Sequence, residues 1–439
     1  GNTVSFRANF SEAVNVTGIP ELLLSNGAVA TYSSAFTSGL TLVFRYLVAA
    51  GTNYGNLSIV GSGSVGSIKD AAGNSFTIPN FAPLSLGISI DATIPIMTIS
   101  SLTVQNTGST NDSQIIIQVS STENIYVNNA LGAPVLLLDP VAKGTISAPS
   151  GAGASYFYTF TVSPNANLTS AGQQYEINVA PTSIGGLVTD AAGNPNTVTP
   201  FSWTYDSEAP QPTISVSTSN IVPVSDGGFT NEQALDITFN TGEVTTNFVS
   251  NDITIQGGGS LTNFTSVNQS EYTADFSANS NGVQKLIIPA GVFTDAAGNN
   301  NIQAEYTWTY DSVSPFLANI TFTGATGGTF GGIQHAKIGD NLDIALTFSE
   351  AVTLGSGLLP SLSNSGALTL QSGNGSTSLV FRYTVISGTQ YNTSSLEISP
   401  GNVGSSLTDL AGNSWTVGNQ NNFFNAAGAA GGWSTCLLY

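Results

Sequence analysis

One five-residue pattern recurs four times along the chain, and its spacing limits what the chain can fold into. Asp70-Ala71-Ala72-Gly73-Asn74 returns as Asp190-Ala191-Ala192-Gly193-Asn194, as Asp295-Ala296-Ala297-Gly298-Asn299 and as Asp409-Leu410-Ala411-Gly412-Asn413. The intervals are 120, 105 and 114 residues. That period is close to the ~100 residues of one β-sandwich domain and well beyond the roughly 20–50 residues of a solenoid unit.

Two further marks keep a fixed order around it. Phe10-Ser11-Glu12-Ala13-Val14 precedes the first copy, and Phe348-Ser349-Glu350-Ala351-Val352 precedes the fourth. Weaker versions are Ser121-Thr122-Glu123-Asn124-Ile125 and Thr241-Gly242-Glu243-Val244, the latter with Gly242 where the others carry a hydroxyl. Three copies are followed by an aspartate-to-proline hinge, at Asp91 to Pro95, Asp206 to Pro210 and Asp311 to Pro315. The first and last repeats also share Val43-Phe44-Arg45-Tyr46 and Val380-Phe381-Arg382-Tyr383. The hinges divide the chain into 1–91, 92–206, 207–311 and 312–439.

Between the marks the chain reads as strands. Residues 342–348 alternate apolar and polar, as do 40–44 and, less cleanly, 156–162. Period-two alternation means one buried and one wet face, and Gly-, Asn- and Ser-rich turns punctuate the runs. No long segment has helical periodicity. Apolar residues make up 41%, enough for a core in each repeat, whereas charged residues make up 8%. The polar surface must therefore come from Ser, Thr, Asn, Gln and Gly, which suit strand faces and turns better than helices. The expected fold is all-β: a tandem array of four Greek-key β-sandwiches.

The order of these motifs resembles the bacterial immunoglobulin-like repeats of large secreted adhesins and cell-surface proteins. The resemblance covers essentially the whole chain, is best in the first and last repeats and weakest in the third. It implies an extracellular, non-enzymatic array with an adhesive or scaffolding task, often with calcium between domains. Such repeats serve many unrelated surface proteins, so the resemblance bears on architecture more than on task.

Charge narrows the partners. Asp and Glu outnumber Lys and Arg 26 to 7, for a net charge of −19. That excludes nucleic acid, whose phosphates demand cationic side chains, and disfavours anionic lipid. No run of ~18 apolar residues spans a membrane. The expected partners are a second copy of the chain or a cell-surface or matrix ligand. The single cysteine, Cys436, allows no internal disulfide, and its place in an alternating strand reads as a small buried hydrophobe. Beginning at Gly1 without a leader, the chain reads as a mature or trimmed product of a longer precursor.

Strand parity gathers the acidic motifs. If seven strands run alternately down and up, the motif Glu ends the second strand at the pole where the first begins. The D-x-AGN loop between the last two strands lies at that pole, and the preceding hinge Asp arrives there. Each junction then holds a cation site: Asp91, Glu123, Asp190 and Asn194; Asp206, Glu243, Asp295 and Asn299; Asp311, Glu350, Asp409 and Asn413. Oxygen-only ligands suit Ca²⁺, which takes about 6–8 oxygens. A purely structural reading stands beside this one. Gly in D-x-AGN supplies a positive φ, and the Asp and Asn side chains cap the turn.

The first repeat starts directly at a stretch, Gly1 to Phe6, that aligns with Gly339 to Ile344. It therefore lacks the strand that residues 316–322 supply to the fourth repeat. Either upstream residues are absent from this chain or another copy donates the strand, which would give a head-to-tail filament.

The remaining motifs are weak. His335, the one histidine, reads as a surface loop residue without catalytic or zinc partners. Gly257-Gly258-Gly259 is a turn without the following helix of a dinucleotide site. Sequons at Asn9, Asn56, Asn263 and Asn392 are as frequent as chance in so Asn- and Ser-rich a chain. Two other functions remain open: a glycan- or protein-binding array using exposed aromatics such as Trp415 and Trp433, and a non-catalytic scaffold of a larger secreted enzyme.

Overall fold

The computed structural model describes residues 2–36, 39–63, 66–76, 83–163, 172–180, 188–330, 333–355, 360–362, 366–387, 398–399, 407–415 and 436–438. Among them the regular structure is strand, with three single-turn 3-10 helices and no α-helix. The chain forms two compact units, Gly1–Glu208 and Ala209–Tyr439.

Each unit holds two separate apolar cores. In the first unit one core runs from Phe6 to Ile90 and the other from Met97 to Tyr205. In the second, one runs from Ile214 to Tyr310 and the other from Leu317 to Trp415. Each core falls inside one sequence repeat.

The third repeat displays the architecture most completely. One sheet has the order Thr213–Thr218, Ala234–Asn240, Glu271–Ser277, Ser260–Ser266. The facing sheet has the order Gly228–Thr230, Ala304–Tyr310, Gly282–Ile288, Thr254–Gln256. The opening strand thus switches sheets part-way: Thr213–Thr218 pairs antiparallel with Ala234–Asn240, and Gly228–Thr230 runs parallel to Ala304–Tyr310. Alternation drives the layering, since Leu235, Ile237 and Phe239 are buried while Ala234 and Asp236 are not. Trp308 is wholly buried between the sheets, edge-on to Phe276 at 4.8 Å. Trp203 holds the matching place in the second repeat, stacked on Tyr175 at 5.2 Å. Burying each such ring contributes about 1.5–3 kcal/mol.

The first repeat departs from two facing sheets. Six strands join in one sheet, in the order Thr3–Asn9, Thr41–Leu47, Val29–Tyr32, Glu21–Leu24, Tyr54–Ser62, Leu84–Ile90. The link is a tight hairpin between Glu21–Leu24 and Val29–Tyr32, closed by Gly27 at φ 79° and by Asn26, whose side-chain oxygen accepts the Ala28 amide. Among the described residues Thr3–Asn9 pairs on one side only, with Thr41–Leu47.

Two surface readings fail against this fold. His335 lies in the strand Ile333–Ala336 and is 6% exposed, because that strand pairs parallel with Cys436–Leu438 instead of forming a loop. Trp415 is 2% exposed and packs edge-on against Phe348 at 5.7 Å, so it is a core residue and not a ligand contact. Trp433 and Asn392 lie outside the described residues.

Candidate metal centre at the repeat junctions

Each D-x-AGN copy is a five-residue turn held by its own aspartate. In the second repeat one Asp190 oxygen accepts the backbone amides of Ala192 and Asn194, and the other accepts the Asn194 side-chain amide at 2.8 Å. The same clasp joins Asp70 to Asn74, Asp295 to Asn299 and Asp409 to Asn413. The glycine is forced: Gly73, Gly193, Gly298 and Gly412 sit at φ 86–96°, where an L side chain is strained. The structural reading of the motif is therefore present in every copy, and these contacts hold the Asp70 carboxyl below its ordinary range, the Asn74 side-chain hydrogen bond most of all.

At two junctions the turn also reaches the preceding hinge. The Asn194 side chain donates to the Asp91 carbonyl at 2.9 Å. The Asn413 side chain donates to the Asp311 carbonyl at 2.8 Å. The carboxylates follow. Asp91, Glu123 and Asp190 offer oxygens within 4.8 Å of one another, and so do Asp311, Glu350 and Asp409. Asp190 and Asp409 are buried, at 2% and 4% exposure.

Of the remaining predicted set, Asp206 closes the first unit. Its backbone amide donates to the Thr110 carbonyl, and its carboxylate accepts the Glu208 amide. Glu243 and Asp295 belong to the second unit and present carboxylate oxygens within 4.8 Å of each other.

Packing three carboxylates together has an electrostatic cost. Burial, then the charges of Asp91 and Asp190, raise the Glu123 carboxyl above its ordinary range. Burial, then Asp311 and Asp409, push Glu350 up to about 7. Neither the Lys285–Glu305 nor the Arg382–Asp343 ion pair touches these triads. The donor set is all oxygen and carries excess negative charge, which fits a hard divalent cation, with carbonyls and water completing its shell.

Sequence reasoning missed a second device at the same pole. Thr122 and Ser349 occupy the motif position just before the Glu. The Thr122 hydroxyl accepts the Ile96 amide at 3.1 Å, and the Thr122 amide donates back to the Ile96 carbonyl. The Ser349 hydroxyl accepts the Phe316 amide at 3.1 Å, and the Ser349 amide donates to the Phe316 carbonyl. Ile96 and Phe316 each follow the hinge proline, so the hydroxyl clamps the incoming strand at its first residue. The signal was legible as a Ser or Thr before the Glu. Gly242 shows why the third repeat departs: it sits at φ 83°, and a Cβ there would meet the Gln211 carbonyl oxygen at 2.8 Å.

The bacterial Ig-like domain family matches residues 206–312. The match falls on the repeat whose Glu motif departs furthest, and its D-x-AGN turn recurs in the other three.

Among solved structures, the adhesin FdeC of Escherichia coli is similar at 11% identity and a TM-score of 0.29, over 74% of this chain and 96% of FdeC. Invasin, a bacterial integrin-binding protein, is similar at 11% identity and a TM-score of 0.29, over 90% of this chain and 75% of invasin. The S-layer protein rSbsC is similar at 13% identity and a TM-score of 0.21, over 91% of this chain and 51% of that one. No curated protein sequence matches the chain. No helix among the described residues is long and apolar enough to cross a membrane.

Proposed function

We propose that the chain is an extracellular structural or adhesive array of four Ig-like domains, stiffened at its junctions by calcium. The observation that carries this reading is the joint use of one pole by two successive repeats. A hinge aspartate from one repeat stands with a Glu and a buried Asp of the next, at Asp91 with Glu123 and Asp190 and at Asp311 with Glu350 and Asp409. A cation bound there would draw the three carboxylates together and resist bending at the hinge. The strongly acidic, Lys-poor composition favours cations over nucleic acid as partners. FdeC is named as an adhesin and invasin as an integrin-binding protein. For this chain a cell-surface or matrix ligand is the corresponding proposal.

The array is lengthened, in this reading, by a strand donated to the first repeat, whose Thr3–Asn9 strand has one unpaired edge among the described residues. Exposed backbone on such an edge is a template for a further strand.

Small-angle scattering of the full chain with calcium and with chelator tests the junction reading. Chelation is expected to shorten the maximum dimension and broaden the distance distribution. An unchanged profile together with an unchanged melting temperature would remove calcium from the account.

A further inference from the structure

Two of the chain's seven basic side chains, Arg7 and Arg45, share one outward sheet face of the first repeat. We propose that this face binds a carboxylated saccharide, a segment of a uronic-acid polymer, through the two arginines and the hydroxyl-lined groove beside them. The site gives the cell-surface or matrix ligand of the adhesive reading a chemistry, and rests on that reading.

Alternation sets the face. Phe6 lies across from Phe44 and both are buried, so Ser5 and Arg7 turn outward from Thr3–Asn9 while Arg45 and Leu47 turn outward from Thr41–Leu47. Ser5 stands directly across from Arg45, and Arg7 across from Val43, so the two arginines are diagonal neighbours. Long side chains reach one another over such a diagonal, about 7–8 Å between backbones. Both arginines are exposed.

The fourth repeat shows which group this position takes. There Asp343 stands across from Arg382 in the same register, and its two oxygens accept from the guanidinium at 2.7 and 2.8 Å. The first repeat has Ser5 in the place of Asp343 and Arg7 in the place of Ala345. A ligand carboxylate would take on Arg45 the position that Asp343 takes on Arg382, with Arg7 as a second cation beside it. Glu21, on the same row of the sheet as Thr31 and Arg45, reaches the other way. Its Oε2 would lie 2.6 Å from a Cβ built on Gly63, on the far side of Glu21–Leu24 from Arg45.

This face is separate from the outer edge of Thr3–Asn9. In the fourth repeat Leu317–Thr323 covers the corresponding edge, and the Arg382 and Asp343 side chains are still 38% and 30% exposed.

The groove supplies the contacts for a sugar. It has a volume of about 560 Å³ and is lined by Thr3, Val29, Thr31, Ser33, Arg45 and Leu47. Three hydroxyls match sugar hydroxyls, and Val29 and Leu47, 39% and 66% exposed, match the C–H face of a ring. Thr41–Leu47 and Val29–Tyr32 each pair on both sides, so their backbone offers no edge to an acidic peptide. The net charge of −19 acts weakly on a ligand held here, because physiological salt screens exposed charges beyond ~8 Å.

Calorimetric titration of the full chain, in chelator so that calcium cannot bridge acid groups, tests the assignment. A galacturonate hexamer should bind saturably, and more weakly as salt rises. Its methyl ester, polyglutamate and sulfated dextran should bind more weakly than the hexamer. Arg7→Ala and Arg45→Ala should each weaken hexamer binding by roughly tenfold, as for a lost hydrogen bond to a charged group. Ser5→Asp should do the same with both arginines in place, by restoring the arrangement of Asp343 and Arg382. Arg382→Ala should leave binding unchanged. Ser5, Arg7 and Arg45 are exposed, so their variants should fold, and unchanged melting temperatures check that they do. Absence of binding at millimolar hexamer would overturn the proposal. So would equal or tighter binding of the methyl ester, polyglutamate or sulfated dextran, or hexamer binding indifferent to Ser5→Asp. Self-association of the chain that the same variants abolish would give the face to a second copy and overturn it too. Scattering that responds to chelator without hexamer binding would sink this assignment alone, whereas hexamer binding without a scattering response would remove calcium and leave the saccharide site standing.

Discussion

The side-chain amide of Asn413 donates to the backbone carbonyl of Asp311, 102 residues earlier, at 2.8 Å, while also holding the Asp409 carboxylate at 2.7 Å. One residue thus ties a loop of the fourth repeat to the hinge that delivers that repeat. Asn413→Ala should remove both contacts and destabilise the fourth repeat by about 1–2 kcal/mol, on the order of one to two net hydrogen bonds. Chemical denaturation would measure this. Asn74→Ala in the first repeat should cost less, because Asn74 holds only its own turn among the described residues. Equal costs would mean that the hinge contact adds nothing.

Glu350→Gln separates repulsion from ligation. Glu350 sits beside Asp311 and Asp409 and is pushed up to about 7, chiefly by burial and then by those two charges. Without calcium the neutral variant should melt no lower than the parent, since a like charge has gone. With calcium its gain in melting temperature should shrink, since a charged ligand has gone as well. Calorimetric scans with and without the ion read both. A larger calcium response in the variant would contradict the assignment.

The Arg382–Asp343 pair gives a pH dependence. Both Asp343 oxygens accept from Arg382, at 2.7 and 2.8 Å, and the Arg382 hydrogen bond is the main reason the Asp343 carboxyl lies below its ordinary range. A depressed carboxyl contributes stability that is present above its unfolded pKa, about 3.9, and is lost as pH falls through the lower folded value. The parent should therefore be more stable than Asp343→Asn near pH 6, and the gap should close below about pH 4. The effect should be small and weakened by salt, because the pair is partly exposed. Melting curves across pH would show it.

Trp308→Ala should be among the costliest single changes in the third repeat. The ring is wholly buried against Phe276, and removing it leaves a cavity as well as lost burial, about 3–5 kcal/mol together. Trp308→Phe should cost less, since the indole Nε1 has no hydrogen-bond partner to lose. Fluorescence-detected unfolding in denaturant tests the order, and equal costs would mean that the site collapses freely around either side chain.

Much of the junction was legible from parity alone. Glu123, Asp190 and Asp91 lie far apart in the chain, yet strand direction puts all three at one end of a sandwich. The clamp was visible as a hydroxyl at Thr122 and Ser349 but carried no obvious meaning, because its partner is a backbone amide of a residue whose identity varies between Ile96 and Phe316. The burial of His335 and Trp415 is not legible in the sequence for a different reason. Neither lies in a strongly alternating run, so burial depended on pairing with distant chain, His335 across from Leu437 and Trp415 against Phe348.

The amino-acid sequence alone determined the all-β class, the repeat and the acidic pole, because alternation and motif spacing are local properties that every copy restates. Only the tertiary structure decided which edges are covered. It joined the sheets of the first repeat through the Gly27 hairpin, buried His335, and left Val4 and Ala8 of the strand Thr3–Asn9, and Phe10 just beyond it, partly buried. Coverage depends on what another stretch of polypeptide does with its backbone hydrogen bonds, and no residue carries that information by itself.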